Sequence, residues 1–199
     1  MPLQYPYTVY GFHSCDQSVG LKVLNGKDTL LPSTNPWDWL GEGIYFWEQN
    51  PGRALEYAHD IVQKKQFNKV PIQTPFVLGA IIDLGNCLNL VEADSLNILR
   101  DAYMGLKEAM DLAGKEMPVN NGANRQLDCE VFRYVHYVNN ETNRLPYDSI
   151  RCAFSEGQSV YPGTDITTRL HVQICVINPD CIKGYFLPRP VDMFNPQLS

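Results

Sequence analysis

The chain has 199 residues, of which 44% are hydrophobic and 19% are charged, and its 22 acidic residues outnumber its 16 lysines and arginines to give a net charge of -6. This length and composition predict one domain with a buried core, covering residues 1–199. The negative charge argues against a broad basic face for nucleic-acid backbones, although a local basic groove is compatible with it.

The sequence also bears on location and on metals. No apolar run approaches the roughly 20 residues that cross a bilayer, and the first residues have neither the basic end nor the apolar core of a signal peptide. We therefore expect a cytoplasmic protein with no membrane partner. The six cysteines are scattered and form no C-x-x-C pair, which predicts free thiols and no bound metal.

Segments with strand or helix patterns follow one another along the N-terminal half. Their signals are apolar runs bounded by turn residues, helical spacing of apolar residues, and an Asn-Pro pair that can open a helix. In chain order they are strand Thr8–Phe12, helix Asp16–Leu24, strand Gly43–Trp47, a helix from Asn50 to about Lys65, and strand Phe76–Asp83.

The C-terminal half contains two long helical patterns and then three strands. In chain order they are helices Ala93–Ala113 and Gln126–Asn139, and strands Ile150–Phe154, Leu170–Ile177 and Cys181–Leu187. Strands, then helices, then strands favour an α+β domain over strict βαβ alternation. The expected architecture is two packed, mainly antiparallel sheets with flanking helices.

Three segments in this order carry the chemistry. The first is TVYGFHS followed by SVGLKVLNG, a strand that ends in His13 and a short helix containing Gly20 and closed by Gly26. The second, LGEGIYFWEQNPGRALEYA, joins a Gly-x-Gly-Ile-Tyr-Phe strand to a helix with Ala-x-x-Tyr. The third is the late strand LHVQICVIN. Together they resemble the NAD-binding core of the diphtheria-toxin-like ADP-ribosyltransferases, the family that includes the poly(ADP-ribose) polymerases.

The resemblance implies an ADP-ribosyltransferase-like fold with NAD as co-substrate. Tyr45 and Tyr57 fall where the two family tyrosines stack on the nicotinamide ring, and His13 falls where a histidine bonds a ribose hydroxyl. Ser14 stands where the commonest pattern has a glycine whose backbone pairs with the nicotinamide amide, and a serine keeps that backbone. The residue types suit these roles, since a flat ring stacks on aromatic faces and an imidazole bonds a hydroxyl.

The third family position departs from the pattern, because Gln173 stands where the family has a glutamate. Cleavage of the bond between nicotinamide and ribose develops positive charge on the ribose, which a carboxylate stabilises better than an amide does. Glu156 is the nearest upstream carboxylate, in a glycine-bearing loop at the place of the family's target-recognising loop. We expect Glu156 and Gln173 to fill the catalytic position jointly, together with Tyr45.

The resulting hypothesis is a mono-ADP-ribosyltransferase that moves ADP-ribose from NAD to a macromolecule, protein or nucleic acid, and releases nicotinamide. By analogy with small bacterial relatives, it would be a toxin or defence protein with a possible neutralising antitoxin. The alternatives are a non-catalytic module that binds NAD or ADP-ribose, and an NAD glycohydrolase that uses water as the acceptor.

Overall fold

The structure is a computed structural model that describes residues 7–64 and 71–199, with the side chain of Lys64 outside the description. The helices are α1 (Gln17–Leu24), α2 (Pro51–Lys64), α3 (Ala93–Leu112), α4 (Gln126–Glu141) and α5 (Val191–Phe194). The strands are β1 (Thr8–Asp16), β2 (Ile44–Glu48), β3 (Pro75–Asp83), β4 (Cys87–Asn89), β5 (Asn120–Asn121), β6 (Asn124–Arg125), β7 (Ser149–Ser159), β8 (Thr167–Val176) and β9 (Ile182–Phe186).

The predicted α+β class is confirmed, but the sheets are arranged differently from the expectation. Seven strands form one hydrogen-bonded sheet in the order β4-β7-β8-β2-β1-β3-β9, and β5 and β6 form a separate small hairpin. All pairs are antiparallel except β4 with β7. The described strands do not divide into two packed sheets of similar size, because β2 pairs with β1 on one side and with β8 on the other.

Helices cover both faces of the large sheet. The α1 face carries a core to which Phe46, Leu78 and Ile174 contribute, and α1 packs against it. The opposite face, here called the α2 face, has one cluster beneath α2, built on Phe12, Trp47 and Val77, and a second beneath α3 and α4. No helix in the described part of the chain is both long and apolar enough to cross a bilayer.

The predicted elements all appear, with shifted ends. Strand β1 runs on through His13 to Asp16, because β3 pairs with it residue by residue from Thr8–Asp83 to Asp16–Pro75. The short strands β4, β5 and β6 were not predicted, since two or three residues are too few for a hydrophobic period. The predicted helix end at Lys65 lies outside the described residues.

A close approach between α1 and β3 explains one glycine of the first motif. A Cβ added at Gly20 would lie 2.3 Å from Cδ1 of Phe76, a fully buried side chain of β3. At Gly52 in α2, by contrast, an added Cβ would meet only the Oδ1 atom of Asn50, at 3.7 Å. Gly20 is therefore needed for packing, whereas Gly52 is not.

Alanine at these two glycines should have opposite effects on stability. We expect Gly20→Ala to lower the free energy of unfolding by about 1–3 kcal/mol through overpacking. Gly52→Ala should leave it unchanged or raise it by up to about 1 kcal/mol through better helix propensity. Urea denaturation of both variants measures this, and equal effects would contradict the packing explanation.

Candidate functional site

Strands β1 and β2 pair over a short stretch and then separate. Phe12 with Trp47 is the last registered pair, and the described residues contain no ladder pair between Ser14 and Tyr45, the next position along. In its place, Nδ1 of His13 lies 2.8 Å from the Tyr45 carbonyl oxygen. The sheet therefore has a gap at this point, with an imidazole at its edge.

The backbone groups of Ser14 point into this gap. The Gln49 N–H donates to the Tyr10 carbonyl at 2.9 Å, so the even-numbered residues of β1 direct their backbone groups toward β2. On the other edge of β1, the Gln17 N–H donates to the Thr74 carbonyl at 2.9 Å, which continues the odd-numbered set that faces β3. Ser14 thus offers one N–H donor and one C=O acceptor, side by side, at the opening.

The His13 and Tyr45 rings lie on opposite faces of the sheet. The Tyr45 hydroxyl donates to the Gly41 carbonyl at 2.6 Å and accepts from the Leu40 N–H at 2.9 Å, while its ring packs with the α3 and α4 cluster. The His13 ring lies near Phe46 on the α1 face, with ring centroids 5.6 Å apart. The two residues of the motif therefore meet through the Tyr45 backbone, and the Tyr45 phenol is held by the loop before β2.

The His13 imidazole is suited to bonding a hydroxyl. Burial lowers the pKa of His13, and its hydrogen bond to the Tyr45 carbonyl opposes this effect only in part. Because a carbonyl can only accept, Nδ1 carries the proton of the neutral ring, and Nε2 is left as an acceptor. A ribose hydroxyl can donate to that atom.

Aromatic side chains line the α2 face beside the gap. Trp47 of β2 is buried, and the ring of Tyr57 packs on it with centroids 4.9 Å apart. Tyr57 and Arg53 lie four residues apart on α2 and hence on one side of the helix. The Arg53 guanidinium carbon lies 5.8 Å from the centre of the Trp47 ring. Tyr57 thus covers Trp47 on the α2 face, and the residue is 37% exposed.

A charged cluster joins α2 to the β7–β8 hairpin. Nη2 of the buried Arg53 donates to Oε2 of Glu156 at 2.9 Å, and Nε2 of His171 lies 3.8 Å from the same oxygen. The Gln173 side-chain nitrogen lies 3.3 Å from the His171 Nε2 atom. On the outer side, Arg169 pairs with Glu56 and Asp60 of α2. Two of the three expected catalytic residues, Glu156 and Gln173, thus belong to one cluster, whereas Tyr45 packs beneath α3 and α4.

Two members of this cluster were missed in the sequence. Arg53 precedes Tyr57 by one helical turn, and His171 precedes Gln173 by two strand positions, so each spacing puts the pair on one face. Both spacings are present in the sequence. However, arginines on helices and histidines in strands are also common outside functional sites, so the spacings alone did not identify these two residues. Only the fold, which brings α2 over the hairpin, makes them neighbours of Glu156.

Strand β2 connects the gap to the charged cluster. Trp47 pairs with Phe12 of β1 on one side and with Gln173 of β8 on the other. Two interstrand spacings of about 4.8 Å put β1 and β8 about 10 Å apart across it. The Ser14 backbone and the Glu156–Gln173 cluster therefore lie on either side of a single strand.

Buried histidines predict how stability depends on pH. Burial lowers the pKa values of His13, His136 and His171 in the folded state. Between the unfolded pKa near 6.5 and the lower folded values, the unfolded chain binds more protons, so the free energy of unfolding decreases as pH falls.

We expect a lower urea midpoint at pH 5.5 than at pH 7.5. His171→Gln should show a smaller loss, because that variant has one fewer buried histidine to protonate. A midpoint that stays constant or rises on acidification would contradict the assignment of these side chains as buried and neutral.

Comparison with known proteins adds no relative: no protein-family model, no curated protein and no solved structure matches the chain. The interpretation of the site therefore depends on the geometry above and on the motif resemblance.

Proposed function

We propose that this protein is a mono-ADP-ribosyltransferase with an ADP-ribosyltransferase-like fold, in which the gap between β1 and β2 binds the nicotinamide half of NAD. The observation that carries the proposal is the break in the β1–β2 ladder at Ser14, whose backbone N–H and C=O point toward β2 with no ladder partner among the described residues. A primary carboxamide has one acceptor oxygen and N–H donors, so it can pair with an adjacent backbone N–H and C=O as a strand would.

The side chains around the gap fit the rest of the nicotinamide riboside. The Ser14 hydroxyl donates to the Ala54 carbonyl of α2, which holds the strand and the helix together at this point. His13 has a free Nε2 acceptor for a ribose hydroxyl, and Tyr57 and Trp47 supply aromatic faces on the other side. His13 and Tyr57 thus lie on opposite faces of the sheet, so the proposal requires the riboside to extend through the gap between them, while Tyr45 contributes its backbone carbonyl.

In this reaction the protein does not need to form a covalent bond to the substrate. Its main task is to stabilise the positive charge that develops on the ribose. As the bond from ribose C1′ to nicotinamide breaks, the electron pair leaves with the pyridine nitrogen and positive charge grows on the ribose. In the proposal, the Glu156 carboxylate stabilises that charge and receives the proton of the attacking acceptor, while Gln173 bonds a ribose hydroxyl. The ion pair with Arg53 fixes the position of Glu156. The guanidinium charge also offsets part of the negative charge that the carboxylate presents to the ribose.

An assay with labelled NAD tests the proposal. The purified protein and a cell extract are incubated with NAD labelled in the adenylate part, and released nicotinamide and label in the protein and nucleic-acid fractions are measured. Transfer predicts both release and a labelled macromolecule. Release alone would identify a glycohydrolase, and NAD binding with no release would identify a binding module.

A further inference from the structure

Three buried donors lie together without acceptors. Among residues 7–64 and 71–199, no hydrogen-bond partner is present for Nε1 of Trp47 or for Nε and Nη1 of Arg53. Trp47 is 5% exposed and Arg53 is 8% exposed. Buried donors are nearly always paired, because an unpaired donor has lost its hydrogen bonds to water without replacement, and the loss is greater for a charged group. The set therefore calls for an acceptor from outside the described residues.

The charges around these donors define the group that can approach them. The Arg53 charge is already balanced by Glu156 at 2.9 Å and faces Glu56 at 3.6 Å. A further anion would be repelled by the two carboxylates, and a donor-only cation would leave the three N–H groups unpaired. A neutral carbonyl oxygen, whose two lone pairs can serve two of the three donors, is the complementary group, and the third donor, Nη1 of Arg53, lies on the side of Glu56. An N–H beside that carbonyl would bond Glu156.

The aromatic surroundings favour a ring over an open amide. The Tyr57 ring lies on the Trp47 ring and is 37% exposed, so it is the side chain that must turn for a ligand to reach the indole. A base gains affinity by stacking on an aromatic side chain, whereas an open-chain carboxamide has no ring that can stack.

We propose that Trp47, Arg53 and Glu156 bind the lactam edge, C=O beside N–H, of a nucleobase, and that this base is the ADP-ribose acceptor. In the transfer, the lactam nitrogen forms a bond to ribose C1′ as the bond from C1′ to nicotinamide breaks, and the N–H proton passes to the Glu156 carboxylate. The inference rests on the proposed function, because it names the acceptor for the same site. Glu156 lies across β2 from the Ser14 gap, whereas Trp47 lies on β2 itself, so the base would lie on the Glu156 side of Trp47 and the nicotinamide on the Ser14 side.

The test is a titration of the ¹⁵N-labelled whole chain, in which the three tryptophans give three indole N–H signals. Uridine, which has the lactam edge, is compared with 3-methyluridine, which lacks the N–H, and with adenosine, which lacks the carbonyl. Acetamide tests an open carboxamide. Trp47→Phe assigns the signal, and Trp39, whose indole already donates to the Ala123 carbonyl, is the internal control and reports folding.

Uridine should shift the Trp47 signal and leave the Trp39 signal in place, with at least about tenfold weaker binding of 3-methyluridine and adenosine, as expected for a lost charge-assisted hydrogen bond. Arg53→Met, if its Trp39 signal is unchanged, should abolish the uridine response. No uridine shift, equal binding of 3-methyluridine, or a response to acetamide alone would overturn the inference.

The titration needs neither NAD nor turnover, so the two proposals can fail separately. Uridine binding with no nicotinamide release in the NAD assay would overturn the transferase and the acceptor role of the base. Transfer to a macromolecule with no uridine response would overturn the base subsite alone.

Discussion

Glu156→Gln is expected to lower the rate of ADP-ribose transfer about a hundredfold to a thousandfold, the range found when one group that stabilises developing charge is removed. The amide keeps an oxygen for Nη2 of Arg53 and has nearly the shape of the carboxylate, so the hairpin should stay on α2. The loss should therefore appear in kcat, with KM for NAD changed little, because the charge on the ribose develops only in the transition state.

Glu56→Gln is the matched control. Glu56 also faces Arg53, at 3.6 Å, and pairs with Arg169, but its side chain is 42% exposed and lies at the outer end of the cluster. We expect its kcat to stay within a few-fold of the wild type. If the two glutamine variants lose activity equally, the effect belongs to the ion-pair network as a whole and Glu156 has no special catalytic role.

Asn195→Ala should be among the most destabilising substitutions in the chain. Asn195 is fully buried, its Oδ1 accepts from the Val77 N–H at 2.8 Å, and its Nδ2 donates to the Val77 carbonyl at 3.0 Å. Both bonds lie on the edge of β3 before β9 begins to pair at Gly79. Alanine leaves two buried backbone groups unpaired, which costs about 2–6 kcal/mol at about 1–3 kcal/mol each.

Gln197→Ala is the control for this prediction. The Gln197 amide also donates to β3, with its Nε2 atom 2.8 Å from the Pro75 carbonyl oxygen. This bond is exposed, so water can replace it. We expect a loss of less than about 1 kcal/mol. Thermal and urea unfolding of both variants measure the difference, and similar midpoints would mean that the C-terminal segment contributes little to the stability of β3.

The sequence predicted the order and type of the main elements because each has a clear local signal. Apolar runs mark β3 and β8, and the Asn50-Pro51 pair marks the start of α2, where Oδ1 of Asn50 accepts from the Arg53 N–H at 2.9 Å. Sheet membership has no such local signal. Whether β2 ends one sheet or joins two groups of strands depends on contacts with β1 and β8, which are distant in sequence.

The sequence predicted several residues of the proposed site, but it did not predict how they are arranged in space. The His13 and Tyr45 positions were readable from the motif, but their arrangement through the Tyr45 carbonyl depends on where the ladder stops, and no residue pattern marks that point. The buried state of Arg53 is a similar case. It results from α2 packing over Trp47 and the hairpin, a long-range contact that helical spacing does not specify.

Strand β2 has only five residues, yet it lies between the gap and the charged cluster, the two parts of the proposed site. The Tyr45 carbonyl accepts a hydrogen bond from the His13 imidazole. Trp47 pairs with Phe12 beside the gap and with Gln173 of the β7–β8 hairpin. A shift of this strand would move the gap and the charged cluster together, so under the proposed function a substitution in β2 would change the recognition of NAD and of the acceptor at the same time.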